Sequence, residues 1–185
     1  IVYIPHFMSW VVAASIFSMI LSPTSAGLVN DVLMKLHLIT DNIYFLGDQK
    51  WWRFSYYIIN VWKDTGWGTI IFMATLAGIS PELYEAASMD GANRFQKMIY
   101  ITLPALNNTI VTVLVLNLAK VMNLFESVFV LQNDAVIKVS DVLQTYIYTQ
   151  TFNSGAIPDY GYTTAVGMFS SIISCILVLV CNRVS

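Results

Sequence analysis

Few side chains in this sequence are arranged for bond-making chemistry. Its two histidines, His6 and His37, stand far apart, and Cys175 and Cys181 lie six apart inside an apolar run, so neither type offers metal-ligand spacing or a disulfide framework. A Gly-x-x-x-x-Gly-Lys-Ser/Thr phosphate loop is absent, and not even a Gly-Lys dipeptide occurs. Intrinsic catalysis, a resident metal and nucleotide hydrolysis are therefore not expected of this chain. What remains is a small set of charges embedded in apolar sequence: Lys63, Asp64, Lys120 and Glu126. Inside a membrane such groups are costly and face protein or water, which makes them candidates for a translocation path or a subunit contact. Against this stands a simpler possibility, that Lys63 and Asp64 lie near a membrane boundary and extend their polar ends outward.

The elements that must hold these charges follow from composition. Of 185 residues, 57% are hydrophobic and 11% charged, against roughly 25% charged in soluble domains. With a net charge of -2 and no Lys/Arg run, the basic surface that nucleic-acid binding needs is missing. Four windows approach the roughly 20 apolar residues of a membrane-spanning helix, at about 2–21, 56–79, 109–130 and 160–182. The first resembles a secretory signal only in the Thr24-Ser25-Ala26-Gly27 segment after it, and no basic segment precedes it. Too few charges are present to coat the outside of a soluble core. Between the windows, residues 22–55 read as a loop that ends in an aromatic belt at Trp51 and Trp52, while 131–159, with Gly155 and Pro158, reads as a second polar stretch whose Tyr146 and Tyr148 suit an interface.

Residues 80–104 form the most structured connection. Ser80 is a good N-cap and Pro81 suits the first helical position, where its missing N–H costs nothing. Glu82 falls in the first turn, favourable to the helix dipole, and Leu83, Ala86 and Ala87 share a face. Asp90-Gly91 ends this helix, because glycine readily takes the left-handed conformation. A second short helix carries Ala92, Phe95, Met98 and Ile99 on one side and Arg94 and Lys97 on the other, until Pro104 limits it. A helix pair designed to lie on lipid wants bulky anchors and a lysine-rich face. The alanines instead permit close approach of another protein, with Glu85 available for a charge-assisted bond to it.

The sequence Glu85-Ala86-Ala87, three residues, Gly91, nine residues, Ile101, one residue, Leu103-Pro104 resembles, at every position, the EAA signature of the permease subunits of type I ABC importers. Asp90-Gly91-Ala92 and the flanking Trp62-Lys63-Asp64-Thr65-Gly66-Trp67 and Tyr162-Thr163-Thr164-Ala165-Val166-Gly167 are similar to the carbohydrate branch, its oligosaccharide and polysaccharide permeases. The resemblance covers essentially the whole chain. It implies an all-α membrane protein, a polytopic helical bundle in which this sequence supplies about four spanning helices and the cytoplasmic coupling loop at 80–104. The family core has six spanning helices, so two earlier helices and a short tail after Ser185 are expected outside this sequence.

Implied partners are two cytoplasmic ABC ATPase subunits that use ATP and Mg, a second permease subunit, identical or homologous, an extracytoplasmic solute-binding protein, a saccharide and the bilayer of the bacterial plasma membrane. The chain itself would bind no cofactor. ATPase coupling is carried over to Glu85, Ala86, Ala87, Asp90, Gly91, Ala92, Ile101, Leu103 and Pro104, with the charged contact at Glu85. The Lys/Arg distribution does not fix the orientation, so the cytoplasmic placement of the loop rests on the resemblance. Since sugars stack on aromatic rings and bond to amides, Trp62, Trp67, Asn117 and Asn123 join Lys63, Asp64, Lys120 and Glu126 as candidate path residues. Competing readings are an ion-coupled carrier or channel, a membrane scaffold, and an importer permease for a non-sugar solute.

Overall fold

The computed structural model describes residues 2–24, 27–153 and 159–184; Ser25, Ala26, Gly155 and Pro158 lie outside them. All regular structure among the described residues is helical. The first apolar window does not form one uninterrupted span. Pro5 sits in the opening turn of a 3-10 helix, Ile4–Phe7, and Ser9 then caps a new helix, α1 (Trp10–Ile20), by accepting the Val12 N–H at 3.2 Å. A proline without an N–H and a serine that serves as a cap divide the apolar run, leaving an 11-residue helix about 16 Å long.

The 22–55 stretch is likewise not a plain loop. It contains α2 (Leu28–Lys35) and the first turns of α3 (Gln49–Ala77). Asn30, fully buried, holds the intervening chain by donating to the Ser22 and Ile43 carbonyls, both at 2.9 Å, and accepting the Ile43 N–H at 3.0 Å. Asp48 caps α3 by accepting the Lys50 N–H at 2.8 Å, so the helix starts seven residues before the 56–79 window and runs 29 residues, about 43 Å. Trp52 is no belt residue. It is 3% exposed, donates its Nε1–H to the Leu131 carbonyl at 3.0 Å and stacks on Tyr56 at 5.1 Å.

That stack belongs to the core, in which Ala14, Leu46, Trp52, Tyr56, Ile59, Val128, Leu131 and Val136 pack together around the first half of α3. The hydroxyls of Tyr56 and Ser127 share a bond of 2.9 Å inside it, so the buried phenol is satisfied.

At its far end α3 stops at Gly78, and α4 (Pro81–Met89) and α5 (Arg94–Lys97) follow. Pro104 does not end the second short helix, contrary to the sequence expectation. A π-helical segment, Met98–Thr102, joins α5 to α6 (Leu103–Val121), with the Leu103 N–H bonded to the Met98 carbonyl. A proline within a regular α-helix deprives one carbonyl of its donor and crowds it; the wider π turn just before Pro104 absorbs both effects. Residues Arg94–Val121 therefore form one continuous helix of 28 residues, which with Tyr160–Cys181 is long and apolar enough to cross a membrane.

The 109–130 window breaks after Val121, and α7 (Glu126–Leu131) begins anew. Lys120 thus lies in the last turn of α6 and Glu126 in the first turn of α7. Each charge complements the dipole of its own helix end rather than interrupting a span. The polar 131–159 stretch also contains helices, α8 (Ile137–Ser140) and α9 (Leu143–Phe152), and Tyr148 packs edge-on against Phe129 at 4.9 Å. The last helix, α10 (Tyr160–Val184), coincides with its window and packs on α6 and α9.

Candidate functional site

Two places gather the candidate residues, a protruding knob at 80–104 and a cleft between α3 and α6. In the knob, Ser80 accepts the Glu82 N–H at 3.3 Å and Pro81 opens α4. The helix closes on Gly91 at φ 77°, whose N–H bonds to the Ser88 carbonyl at 3.1 Å while the Ala92 N–H reaches the Ala87 carbonyl at 2.9 Å. These are the two bonds of a Schellman ending, and they explain why glycine stands at 91: nothing lies within 4 Å of where its Cβ would be, so the demand is torsional. Asn93 and Gln96 then exchange a reciprocal pair of bonds, 2.8 and 2.9 Å, that opens α5.

Glu85 is exposed, and the one ion pair among the described residues, Lys35 with Asp31, does not involve it. Ala86, Asp90 and Gly91 are also exposed, with Ala87 and Ala92 half-buried. Ile101, Leu103 and Pro104 stand apart from these, in the π turn and the start of α6. Around the knob Leu83, Met89, Phe95 and Tyr100 are bare, Met89 at 89%. Met89, which the sequence reading passed over, follows directly from its place just before the helix-ending Asp90-Gly91, where a side chain has no neighbouring turn to cover it.

Tyr84, Ser88 and Thr102, which the sequence did not single out, brace the knob together with Lys97. The hydroxyls of Tyr84 and Thr102 share a bond of 2.9 Å, Lys97 Nζ donates to Ser88 Oγ at 2.5 Å, and Ser88 Oγ donates to the Tyr84 carbonyl at 2.7 Å. The first two of these ties run from α4 forward to the π turn and α5, and the third lies within α4.

The cleft, about 470 Å³, is lined from α3 by Val61, Asp64, Thr65, Trp67, Gly68 and Ile71, and from α6 by Val113, Leu116, Asn117 and Lys120. On α6 the spacing is i, i+3, i+4, i+7, and on α3 Val61, Asp64, Thr65 and Gly68 repeat it, with Trp67 and Ile71 beside them on the same face. His6 completes the wall, its ring stacked on Trp67 at 5.1 Å. Its position depends on Gly66, where a Cβ would collide with the backbone of Val2 and Tyr3, so only glycine lets the N-terminal turn rest on α3.

Of the eight candidate path residues, the cleft thus brings together Asp64, Trp67, Asn117 and Lys120. The other four lie elsewhere. Lys63, one helical step away from Asp64, is 6% exposed; its Nζ donates to the His6 carbonyl at 3.3 Å and lies 5.0 Å from the Trp10 ring centre. It neither extends outward nor lines the cleft, but clamps the N-terminal turn. Trp62 packs edge-on against Phe17 at 5.1 Å. Asn123 accepts from Gln144 Nε2 at 3.3 Å, and Glu126 is exposed at the start of α7. Asp64 and Lys120 face one cleft without forming an ion pair, so a polar occupant could meet an acceptor, a cation, an amide and an aromatic face.

Comparison with known proteins places this geometry in context. The family described as binding-protein-dependent transport system inner membrane component matches residues 1–184. The chain is 40% identical to Protein LplB of Bacillus subtilis (strain 168) over 185 residues, 100% of this chain and 56% of that protein. It is 39% identical over 186 residues to the polygalacturonan/rhamnogalacturonan transport system permease protein YteP of the same organism, again covering 100% of this chain and 56% of that protein. Among solved structures, a bacterial ABC transporter involved in the import of the acidic polysaccharide alginate superimposes with a TM-score of 0.91 at 37% identity, over 100% of this chain and 63% of that one. The chain therefore spans little more than half the length of these relatives.

Proposed function

The chain belongs to the inner membrane components of binding-protein-dependent transport systems, and from that premise we propose that it is a permease subunit of an ATP-driven saccharide importer. It crosses the bacterial plasma membrane several times and pairs with a second permease subunit. An extracytoplasmic binding protein delivers the saccharide; separate ABC ATPase subunits bind and hydrolyse ATP with Mg. This chain performs no bond-breaking step. Family membership speaks against an ion-coupled carrier.

The observation that carries the reading is the knob: an exposed, doubly capped helix between two long helices, bearing alanines, bare apolar side chains and an unpaired glutamate. Such a surface is complementary to an apolar groove rimmed by a basic residue, and a charge-assisted bond from Glu85 fixes its register there. ATP-driven closure of the ATPase pair moves the knob, and the knob's motion is passed to the wall of the cleft; the contacts differ between two states, as coupling demands. In the cleft, Trp67 offers a ring face to a sugar, with Asp64, Asn117 and Lys120 as hydrogen-bond partners. A saccharide is supported as cargo by the names of two full-chain matches, the polygalacturonan/rhamnogalacturonan permease and the alginate importer.

The test is Glu85→Lys in the reconstituted transporter. Uptake of oligosaccharide is expected to fall to background while the ATPase subunits still hydrolyse ATP when free. Unchanged transport overturns the assignment of Glu85, and ATP-driven uptake of a peptide or phosphate in place of sugar overturns the cargo.

A further inference from the structure

The knob has two covalent neighbours, α3 before it and the α5–α6 helix after it, and the structure treats them differently. Toward α3 the link is a short non-helical joint at Gly78, Ile79 and Ser80, and the only side-chain bond there is the Ser80 cap on α4's own first turn. Toward α6 the link is stiff. The Schellman ending and the Asn93–Gln96 box fix the turn, and the backbone is continuously helical from Arg94. Two side-chain bridges then cross from α4, Tyr84 to Thr102 and Ser88 to Lys97.

We propose that motion of α4 is delivered selectively to α6 through the Tyr84–Thr102 hydrogen bond, while α3 stays behind as the reference wall. Tyr84 and Thr102 are then positioning residues of transport. The inference rests on the knob being the ATPase-coupled element. A third bond completes the device: the Thr75 and Thr109 hydroxyls meet at 2.8 Å, joining α3 to α6 between knob and cleft. With this contact as the pivot, a push at Thr102 on one side displaces Asn117 and Lys120 on the other, and these two face Asp64 and Trp67 of α3 across the cleft. One wall moves and the opposite wall is left in place, which changes the width of the cavity; a knob that carried both helices equally would leave the width unaltered.

The π turn gives the bridge its orientation. Thr102 is the last residue of the π segment, so a return to regular α-helix upstream of Pro104 swings it by about one residue, roughly 100° around the axis, away from Tyr84. The bond therefore reports helix register as well as distance.

The experiment uses the complete transporter in proteoliposomes supplied with saccharide-loaded binding protein. Tyr84→Phe and Thr102→Val each delete one hydroxyl without changing bulk. Each is expected to lower the saccharide carried per ATP roughly three- to tenfold, the effect of one net hydrogen bond, with ATPase subunits co-purifying at wild-type stoichiometry. The double variant is no worse than either alone, and Thr102→Ser, which keeps a hydroxyl, restores coupling. A wild-type transport ratio in Tyr84→Phe, additive losses in the double variant, or loss of the ATPase subunits from either single variant overturns the inference. Failure of the underlying reading shows itself earlier and separately, as an unsubstituted transporter whose uptake is independent of ATP.

Discussion

Single residues do most of the shaping here by what they lack. Gly91 lacks a Cβ at a φ of 77° with open space around it, so any replacement pays in torsion alone. Gly91→Ala is expected to destabilise the α4 ending by about 1–2 kcal/mol, seen as faster proteolysis at 89–93 in the assembled transporter, whereas Gly91→Asn, at home in the left-handed region, stays near wild type. Gly66 differs in kind: there the obstacle is steric, the backbone of Val2 and Tyr3. Lys63 shows the limit of reading charge from sequence. Its place in an apolar window made it a candidate for the path, yet a carbonyl and a tryptophan face hold it one helical step away from the cleft. The sequence shows that a lysine is there, while its direction depends on an N-terminal turn 57 residues earlier in the chain.

At the scale of elements, the sequence was most legible where local signals agree. Ser80-Pro81 and Asp90-Gly91 delimit α4, and the last window coincides with α10. It was least legible where apolar composition runs across a backbone break. Hydrophobicity is continuous through Pro5 and Ser9 and through 122–125, so composition alone predicts two single spans there, although capping and helix-end dipoles divide them. Trp52 was misread for the opposite reason: an aromatic pair beside an apolar run suits a belt, but a long-range bond to Leu131 places it in the core. Trp52→Ala is expected to cost about 3–5 kcal/mol, measured as a large drop in thermal stability of the detergent-solubilised protein; Trp52→Phe, losing chiefly the bond, costs about 1 kcal/mol. The π turn carries an expectation of its own. With Pro104→Ala the missing N–H returns, the 98–102 segment relaxes to regular helix, and the coupling between Tyr84→Phe and Thr102→Val in a double-mutant cycle on transport ratio falls to zero.

For the molecule as a whole, burial is concentrated at one end. The core sits around the first half of α3, whereas α6 has no buried residue along its 19-residue length. Beyond its packing on α3 and α10, such a helix is left for lipid or other subunits to cover, and it lies outside the buried core. The site divides along the same line, with Asp64 and Trp67 on the anchored helix and Asn117 and Lys120 on the freer one. Replacing Lys120 by Gln is expected to slow maximal uptake about tenfold at saturating loaded binding protein, the scale of one charged hydrogen bond, with ATP hydrolysis retained; unaltered uptake removes Lys120 from the path. The Thr75–Thr109 contact has a further consequence. Thr102 lies seven positions before Thr109 and Lys120 eleven positions after it on the same continuous helix, arms of about 10 and 16 Å. Such a beam is geared for travel at the expense of thrust: a nudge of about 2 Å at the base widens the far gap by about 3 Å, so a small stroke suffices and the load it can work against is correspondingly reduced.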